Sequence, residues 1–529
     1  MSNYDPEAAM IEKYEMDQLD EFGRNTTNLT TDQQGLKRDL RLRHMVMIAI
    51  SGTIGTGLFL TSGSTIALAG PGGACAFNAW GGRIFDEALS FQMNWMYFIN
   101  WAFAIPAELS ASAVIISFWL PEDSTFPPWV VPLIIIVIMV GINLVGVKAY
   151  GELEYWFSIL KVVTILMFIV CGILVDAGVL GGVKYGMSAW HMVGAPFKGG
   201  FAGFVRSLVM VGYSYGGTEM VAVTAAESRN PHKHVPRAVN TVLIRIAIFY
   251  IFSIFLLGSI IPNNDPALVN ENGSVTKAPF TIVFTKAGIN VAANFMNAVV
   301  FSSVFSAINS DFYIATRVLL SLSRNGWAHE SIGYINARGV PLVALAIVTA
   351  CACLSLITIF VGSGVVFAWF VSLLGTITFQ SWMFILLLHL RFRYCWKKQD
   401  RHAIDLPYVS WGYPYGNYLG IVIGFCCIIA TFYVSFANAP VYPGVDASSD
   451  EMETYRTLRN KYAQGLMGAW FPWIMSAILF FSYKFIRKTK LIRPEDADLD
   501  TGRFIPSESD MEDLRSHGPL WKKFVKYIV

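Results

Sequence analysis

Long apolar stretches alternate with short polar segments along most of the chain. A membrane-crossing helix needs about 20 mainly apolar residues, and each of these stretches is long enough or nearly so. The stretches lie at 45–69, 89–120, 129–147, 156–180, 200–226, 238–261, 288–311, 341–361, 364–390, 417–437 and 466–486. This pattern predicts an all-α polytopic membrane protein with about eleven transmembrane helices.

Polar segments stand at both ends of this pattern. They predict a disordered N-terminal tail at 1–43, a transmembrane domain at 44–487 and a C-terminal tail at 488–529. Lysine and arginine concentrate before the first stretch, in alternate loops and after the last stretch. Because cytoplasmic loops carry the excess of positive charge, we expect both tails in the cytoplasm.

The loop charges also reveal a contradiction near residues 70–88. The first stretch and the stretch at 89–120 must both run outward, yet the segment between them contains Asn78, Arg83 and Asp86. Such a segment is too polar for a spanning helix, and an extended crossing would leave backbone groups unpaired in lipid. One inward crossing is therefore missing from the predicted topology.

Composition narrows the class of protein further. The chain has 529 residues, of which 54% are hydrophobic and 14% charged, with a net charge of +2. This composition excludes a soluble domain, and the small net charge argues against a nucleic-acid-binding surface. The eight histidines and seven cysteines show no metal-ligand spacing, so we expect neither a metal nor a cofactor.

Two apolar stretches are interrupted by glycines, with the strings SGTIGTG at 51–57 and GYSYGGTE at 212–219. Glycine weakens a helix, and lipid cannot pair the freed backbone groups, so such breaks face protein, a cavity or a ligand. Half-helix N-termini attract anions and loose carbonyls attract cations. We predict a binding site between the two breaks; the alternative is close helix packing through small residues.

Charged residues inside apolar stretches are a second indication of function. Glu108 and Lys161 lie in such stretches and Glu227 directly follows one, and an intramembrane charge usually marks a pathway or a proton relay. For Lys161 the alternative is a lysine whose ammonium reaches the membrane interface, because it lies near the start of its predicted stretch. For Glu227 the alternative is a carboxylate at the cytoplasmic interface.

Seven strings in order resemble one family, the amino-acid permeases of the amino acid–polyamine–organocation superfamily, especially the fungal plasma-membrane members. They are GTIGTGLF at 52–59, AGPGGA at 69–74, AELSA at 107–111, GELEYWF at 151–157 with Lys161, GTE at 217–219, AESRNP at 226–231 and GVP at 339–341. The resemblance implies a LeuT-like fold of two inverted five-helix repeats and two extra helices, with helices 1 and 6 broken. The family's second helix has no counterpart in this chain.

The resemblance also implies roles for single residues. The first break would hold the substrate α-carboxylate on exposed amides, and the second would supply an aromatic gate and carbonyls for the α-ammonium. The substrate-binding candidates are Ser51, Thr53, Ile54, Gly55, Thr56, Gly57, Tyr213, Ser214, Tyr215, Gly217, Thr218 and Glu219. Lys161 would occupy the cation position of sodium-coupled relatives and cycle a proton. Ser302, Ser303, Ser306 and Asn309 would lie on the eighth helix facing the site, unless they only bond backbone or a neighbouring helix.

These observations favour a transporter over an enzyme. The leading hypothesis is a plasma-membrane permease that couples amino-acid uptake to protons by alternating access, with the amino acid, the proton and membrane lipid as its partners. One alternative is an amino-acid sensor without net transport. Another is a non-functional isoform or an erroneous gene model, because a helix is missing. The sequence indicates neither the oligomeric state nor which amino acids are carried.

Overall fold

The computed structural model describes most of the chain from residue 81 to residue 500. The described segments are 81–121, 125–127, 129–145, 147–191, 247–262, 278–402, 412–437 and 448–500, with isolated positions at 200–201, 203–204, 207, 214, 265, 267–268, 406, 439–440 and 442. The predicted first stretch at 45–69, the N-terminal tail and the end of the C-terminal tail lie outside these residues.

The described residues form helices and contain no strand. The α-helices, labelled here in chain order, are α1 Glu87–Ile116, α2 Val130–Val145, α3 Val147–Asp176, α4 Ser253–Ile260, α5 Pro279–Lys286, α6 Asn290–Arg324, α7 Leu342–Ala352, α8 Thr358–Val361, α9 Ser363–Lys398, α10 Tyr415–Ala437 and α11 Ser449–Arg487. A 3-10 turn at Cys353–Ile357 joins α7 to α8, and a π-type turn at Ala247–Phe252 precedes α4.

Seven helical segments are long and apolar enough to cross a membrane, within the part of the chain that the structure describes. They correspond to α1, α3, α6, the α7–α8 segment, α9, α10 and α11, and α2 and α4 are shorter apolar helices. The prediction of an all-α polytopic membrane protein is confirmed. The count of eleven spans remains a prediction, because 45–69 lies outside the described residues, 200–226 and 238–261 are only partly described, and 129–147 forms only the shorter helix α2.

The start of α11 differs from its predicted position at residue 466. This helix begins at Ser449 and has 39 residues, a length of roughly 58 Å at 1.5 Å per residue, about twice the hydrocarbon thickness. Ser448 Oγ accepts a hydrogen bond from the Glu451 amide at 3.3 Å, and Glu451 Oε2 accepts one from the Ser448 amide at 2.9 Å. This capping box was readable in the sequence, whereas hydropathy alone locates only the apolar end.

The central helix of the described domain is α1. It packs most extensively against α6 and α9, and also contacts α11, α7 and α2. Its apolar residues therefore occupy all sides of the helix, and 78% of its most apolar window is buried. Pro106 interrupts the helical hydrogen bonds, and Ser110 Oγ donates to the Pro106 carbonyl at 2.7 Å.

Small residues bring the last helices close to α9. A Cβ atom added at Gly424 on α10 would lie 2.2 Å from Met383 Sδ, and one at Gly468 on α11 would lie 2.0 Å from Ser372 Oγ. Neither distance is possible without movement of a neighbour. Helix contacts in membranes rely on this kind of close approach, because apolar side chains gain little by leaving lipid for protein.

The segment after α11, residues 488–500, packs against the ends of α1 and α9. The Ile492 amide donates to the Phe85 carbonyl at 2.9 Å, and Arg391 Nε donates to the Ile84 carbonyl at 3.0 Å. Gln399 Nε2, directly after α9, donates to the Ala497 carbonyl at 2.7 Å, and Leu499 is buried. The sequence predicted only a tail here; the structure shows that its first part belongs to the packed domain.

Asp86 connects this segment to the start of α1. Its carboxylate caps α1 by accepting from the Ala88 amide at 2.9 Å, accepts from Thr489 Oγ1 at 2.9 Å, and pairs with Lys484 of α11. Burial opposes ionisation of this side chain, but the hydrogen bonds from Lys484, Ala88 and Thr489 outweigh it and hold the pKa of Asp86 below its usual 3.8.

We predict that Asp86→Ala lowers the thermal midpoint of the detergent-solubilised protein more than Asp86→Asn does. Asparagine still caps the helix, whereas alanine also removes the cap, which is typically worth about 1 kcal/mol. Because the pKa of Asp86 is lowered in the folded protein, its ionised carboxylate stabilises the fold above the usual pKa. The difference in thermal midpoint between the original chain and Asp86→Asn should therefore shrink as pH falls through the folded-state pKa. A difference that does not change as pH falls from neutral to well below 3.8 would contradict this prediction.

Candidate functional site: a buried charge cluster

One face of α3 is buried along its length, and its side chains are mainly polar in the first half and apolar in the second. Tyr150, Glu154 and Lys161 form its polar half, and Ile165 and Phe168 begin its apolar half. The spacings of four, seven and eleven residues place all these side chains on one side of a helix. The opposite side is exposed, as expected where a helix faces lipid. The polar half faces α6.

Lys161 lies at the centre of this contact. Its side chain is fully buried, and Nζ donates a hydrogen bond to Ser306 Oγ on α6 at 2.9 Å. Ser306 Oγ in turn donates to Glu154 Oε2 at 2.8 Å. Asn309 Nδ2, one turn further along α6, donates to the other oxygen, Glu154 Oε1, at 3.0 Å. A single hydroxyl therefore connects the buried ammonium to a buried carboxylate.

Two more carboxylates act on this ammonium. The charges of Glu108 on α1 and Asp311 on α6 interact with that of Lys161, as does the charge of Glu154. Glu108 is 5% exposed and Asp311 6%, and Asp311 Oδ2 has no hydrogen-bond partner among the described residues. Three carboxylates and one ammonium, all ionised, would leave an excess of buried negative charge. Such an excess is unfavourable in a dry interior and favours the uptake of a proton or another cation.

Polar contacts continue along the same helix pair, past Glu154. Tyr150 lies one turn before Glu154, and its hydroxyl is 3.4 Å from Ser310 Oγ. The Tyr150 ring stacks on that of Tyr313, with centroids 4.0 Å apart, and the Arg317 guanidinium lies 4.1 Å from the Tyr313 centroid. Arg317 is half-buried and is one of the residues whose charge predicts a cytoplasmic position.

The structure decides between several of the alternatives that the sequence left open. Lys161 is in the interior of a 30-residue helix, so the interpretation as an interfacial lysine is wrong. Ser306 and Asn309 bond the Glu154 side chain of α3. Ser302 instead donates to the Val299 carbonyl of its own helix at 2.8 Å, as the alternative predicted. Sequence reasoning missed Glu154 as a site residue, although it lies in the string at 151–157, two helical turns before Lys161 and on the same face.

Of the candidate residues in the two glycine breaks, the structure describes only Ser214. The candidates Ser51, Thr53, Ile54, Gly55, Thr56, Gly57, Tyr213, Tyr215, Gly217, Thr218, Glu219 and Glu227 lie outside the described residues. Ser214 is described and buried, and its carbonyl accepts a hydrogen bond from the Tyr250 hydroxyl at 2.8 Å.

Comparison with known proteins identifies the family. The profile of the amino acid permease family matches residues 74–471. The chain belongs to the amino acid permease family. It is 36% identical to the lysine-specific permease LysP of Lactococcus lactis, over 90% of this chain and 95% of that protein. It is 34% identical to the lysine-specific permease LysP of Escherichia coli, over 88% and 96%, and 32% identical to the amino-acid permease GAP5 of Candida albicans, over 94% and 81%. A LeuT-like fold fits this amino acid permease and its helical structure.

We predict that Asn309→Leu destabilises the permease by about 1–3 kcal/mol, because it removes a donor from a fully buried carboxylate without changing the side-chain volume much. The measurement is thermal unfolding in detergent. Asn325→Leu is the matched control, since Asn325 lies at the exposed end of the same helix and bonds only weakly to Ser321, at 3.5 Å. Equal midpoints for the two variants would mean that the Asn309 contact does not stabilise Glu154.

Proposed function

We propose that this permease carries amino acids across the plasma membrane and that protons drive the uptake. The observation that carries the proposal is a fully buried lysine, Lys161, joined through one hydroxyl to a buried carboxylate inside an amino acid permease domain. Intramembrane charges are costly and are retained mainly where they serve a pathway or a relay. The named relatives transport lysine, histidine or other amino acids according to their names, which supports an amino-acid substrate.

In this proposal Lys161 alternates between a protonated and a neutral form. Its ammonium has a hydroxyl acceptor and three carboxylates to stabilise it, while full burial favours the neutral amine. A lysine balanced between these two effects changes protonation easily when the site opens to one side and then to the other. Glu108 and Glu227 are further candidates for proton binding, and Glu108 is buried beside the cluster.

The substrate is proposed to bind between the two glycine breaks. The amides of residues 51–57 would hold the α-carboxylate, and the carbonyls and side chains of residues 213–219 would hold the α-ammonium and cover the substrate. This assignment follows from the polarity of half-helix ends and from the family resemblance. Both tails are proposed to lie in the cytoplasm, since basic residues flank them.

We also infer that the chain lacks the second helix of the permease pattern. The family match begins at residue 74, within the segment where the predicted topology misses one crossing. The alignment with the Lactococcus lactis permease has 510 positions but takes up only 90% of the 529 residues, so about thirty positions have no residue here. That number is enough for one crossing of a bilayer. An open reading frame of this size in the genomic DNA between codons 74 and 83 would identify the chain as a spliced form; its absence would contradict that origin.

We predict that Lys161→Ala abolishes accumulation driven by a pH step while the protein still binds amino acid. The purified protein is reconstituted into liposomes, and uptake of a labelled amino-acid mixture is followed with the outside made acidic. Binding of the same mixture is measured in detergent on folded protein selected by size exclusion. If Lys161→Ala liposomes still concentrate substrate in response to the pH step, Lys161 is a structural residue and this coupling proposal is wrong.

We predict that Gly55→Leu abolishes amino-acid binding without preventing membrane insertion. A side chain at this position would obstruct the close approach of the backbone to the substrate carboxylate. Binding of the labelled mixture is compared with that of Gly141→Leu, because a Cβ at Gly141 on α2 meets no atom within 4 Å. Normal binding by Gly55→Leu would exclude the first break as the carboxylate site.

A further inference from the structure

The contact between α3 and α6 contains a continuous series of polar groups. It starts at Lys161 Nζ, passes through Ser306 Oγ at 2.9 Å and reaches Glu154 Oε2 after a further 2.8 Å. Both distances are those of good hydrogen bonds, and all three side chains are fully buried. Protons move along such chains because each hydroxyl can accept one proton while it donates another.

Further polar groups lie beyond Glu154, toward one end of the helix pair. Tyr150 follows Glu154 after one helical turn, and its hydroxyl lies 3.4 Å from Ser310 Oγ. Beyond it come the stacked ring of Tyr313 and the half-buried Arg317. Lys148, at the start of α3, and Arg317 have the positive charge expected of a cytoplasmic end. The polar series therefore leads from the middle of the membrane domain to its cytoplasmic side.

We propose that Ser306 and Glu154 form the path by which the proton leaves Lys161 toward the cytoplasm, with Glu154 as a second proton-binding group. This inference rests on the proposed proton coupling and adds to it the direction and the residues of the release step. It assigns Ser306 as a relay and Glu154 as the acceptor. The tyrosine pair and Ser310 line the exit.

The transfer conserves atoms and charge. An N–H bond of the Lys161 ammonium breaks as an O–H bond forms at Ser306 Oγ, and the original hydroxyl proton of Ser306 passes to Glu154 Oε2. The products are a neutral amine and a neutral carboxylic acid. Glu154 then gives its proton to water at the cytoplasmic side. Lys161 takes up the next proton when the site opens to the outside.

The surroundings of Lys161 and Glu154 allow these two groups to be either both charged or both neutral. Before the transfer, the Lys161 ammonium and the Glu154 carboxylate are opposite charges joined through the Ser306 hydroxyl, and both lose much of their hydration energy in a dry interior. After it, both groups are neutral, so the cost of burial falls as the attraction between the charges is lost. Asn309 Nδ2 donates to the other oxygen of Glu154 at 3.0 Å, and the carbonyl oxygen of a neutral acid can accept the same bond.

The other charged groups near the path are Glu108 on α1, Asp311 on α6 and Arg317 at the exit. The carboxylates of Glu108 and Asp311 interact with Lys161 and with each other. They favour the ammonium form and so help Lys161 regain its proton. Arg317 contacts the ring of Tyr313 and favours the ionised state of any acid that approaches the exit. Its charge therefore favours proton release from this end.

The test compares proton entry with exchange in the same proteoliposomes, made with the full-length protein and a trapped pH dye. Proton entry is recorded when the amino-acid mixture is added outside. Exchange of labelled external for unlabelled internal amino acid is measured at equal pH with a protonophore, where no net proton movement is needed. The variants are Lys161→Ala, Ser306→Ala, Ser306→Thr and Glu154→Gln. Ser381→Ala is the control, because Ser381 is a buried serine on α9 whose hydroxyl bonds its own helix at 3.1 Å.

We expect Ser306→Ala and Glu154→Gln to lower proton entry about tenfold more than exchange, since a proton relay typically contributes a hundredfold or more to a transfer step. Ser306→Thr keeps the hydroxyl and should restore proton entry, and Ser381→Ala should behave as the original protein. The dependence of net uptake on internal pH should also weaken in Glu154→Gln.

The outcomes separate this inference from the proposed coupling. If Lys161→Ala loses proton entry while Ser306→Ala and Glu154→Gln keep the original ratio of entry to exchange, the coupling stands and the release path is wrong. If entry and exchange fall together and Ser306→Thr restores neither, Ser306 and Glu154 only support the fold. If Lys161→Ala itself keeps proton entry, the coupling proposal fails as well.

Discussion

The described domain depends on how one buried ammonium is held between two long helices. A charge of this kind loses its hydration on burial and remains stable only with hydrogen bonds and opposite charge close by. Lys161 finds these on α6 through Ser306 and on its own helix through Glu154. The contact fixes the register of α3 against α6, because a shift by one residue would turn the polar half of the α3 stripe away from its partners.

The two halves of the buried α3 face, on either side of this contact, differ in polarity. Toward one end the stripe is apolar, and Phe168 packs against Phe280 and Phe284 of the short helix α5, with centroids 4.4 and 6.1 Å apart. Toward the other end it is polar and carries Glu154 and Tyr150. An apolar half on one side of Lys161 and a hydrogen-bonded half on the other are consistent with the proposed release of a proton toward the polar side only.

The central helix α1 and the segment after α11 contribute further contacts to the described domain. α1 is surrounded by other helices and places Glu108 beside the cluster. Residues 488–500 join the ends of α1 and α9 through backbone hydrogen bonds and through Arg391 and Gln399. Long helices in lipid gain little from burying apolar surface against each other, so such polar contacts at their ends contribute to keeping them together.

Hydropathy and charge along the sequence determined the class of protein, the approximate position of each described span and the importance of Lys161 and Glu108. These properties are local, because a bilayer imposes the same length and polarity on every spanning helix. The capping box at Ser448 was equally local but lay outside the apolar stretch. The pairing of Lys161 with Glu154 through Ser306, the role of Asn309, and the packing of residues 488–500 were decided only by the tertiary structure. Ser306 lies 145 residues from Lys161 in the chain, and only the packing of α3 on α6 brings a hydroxyl to within hydrogen-bond distance of that ammonium.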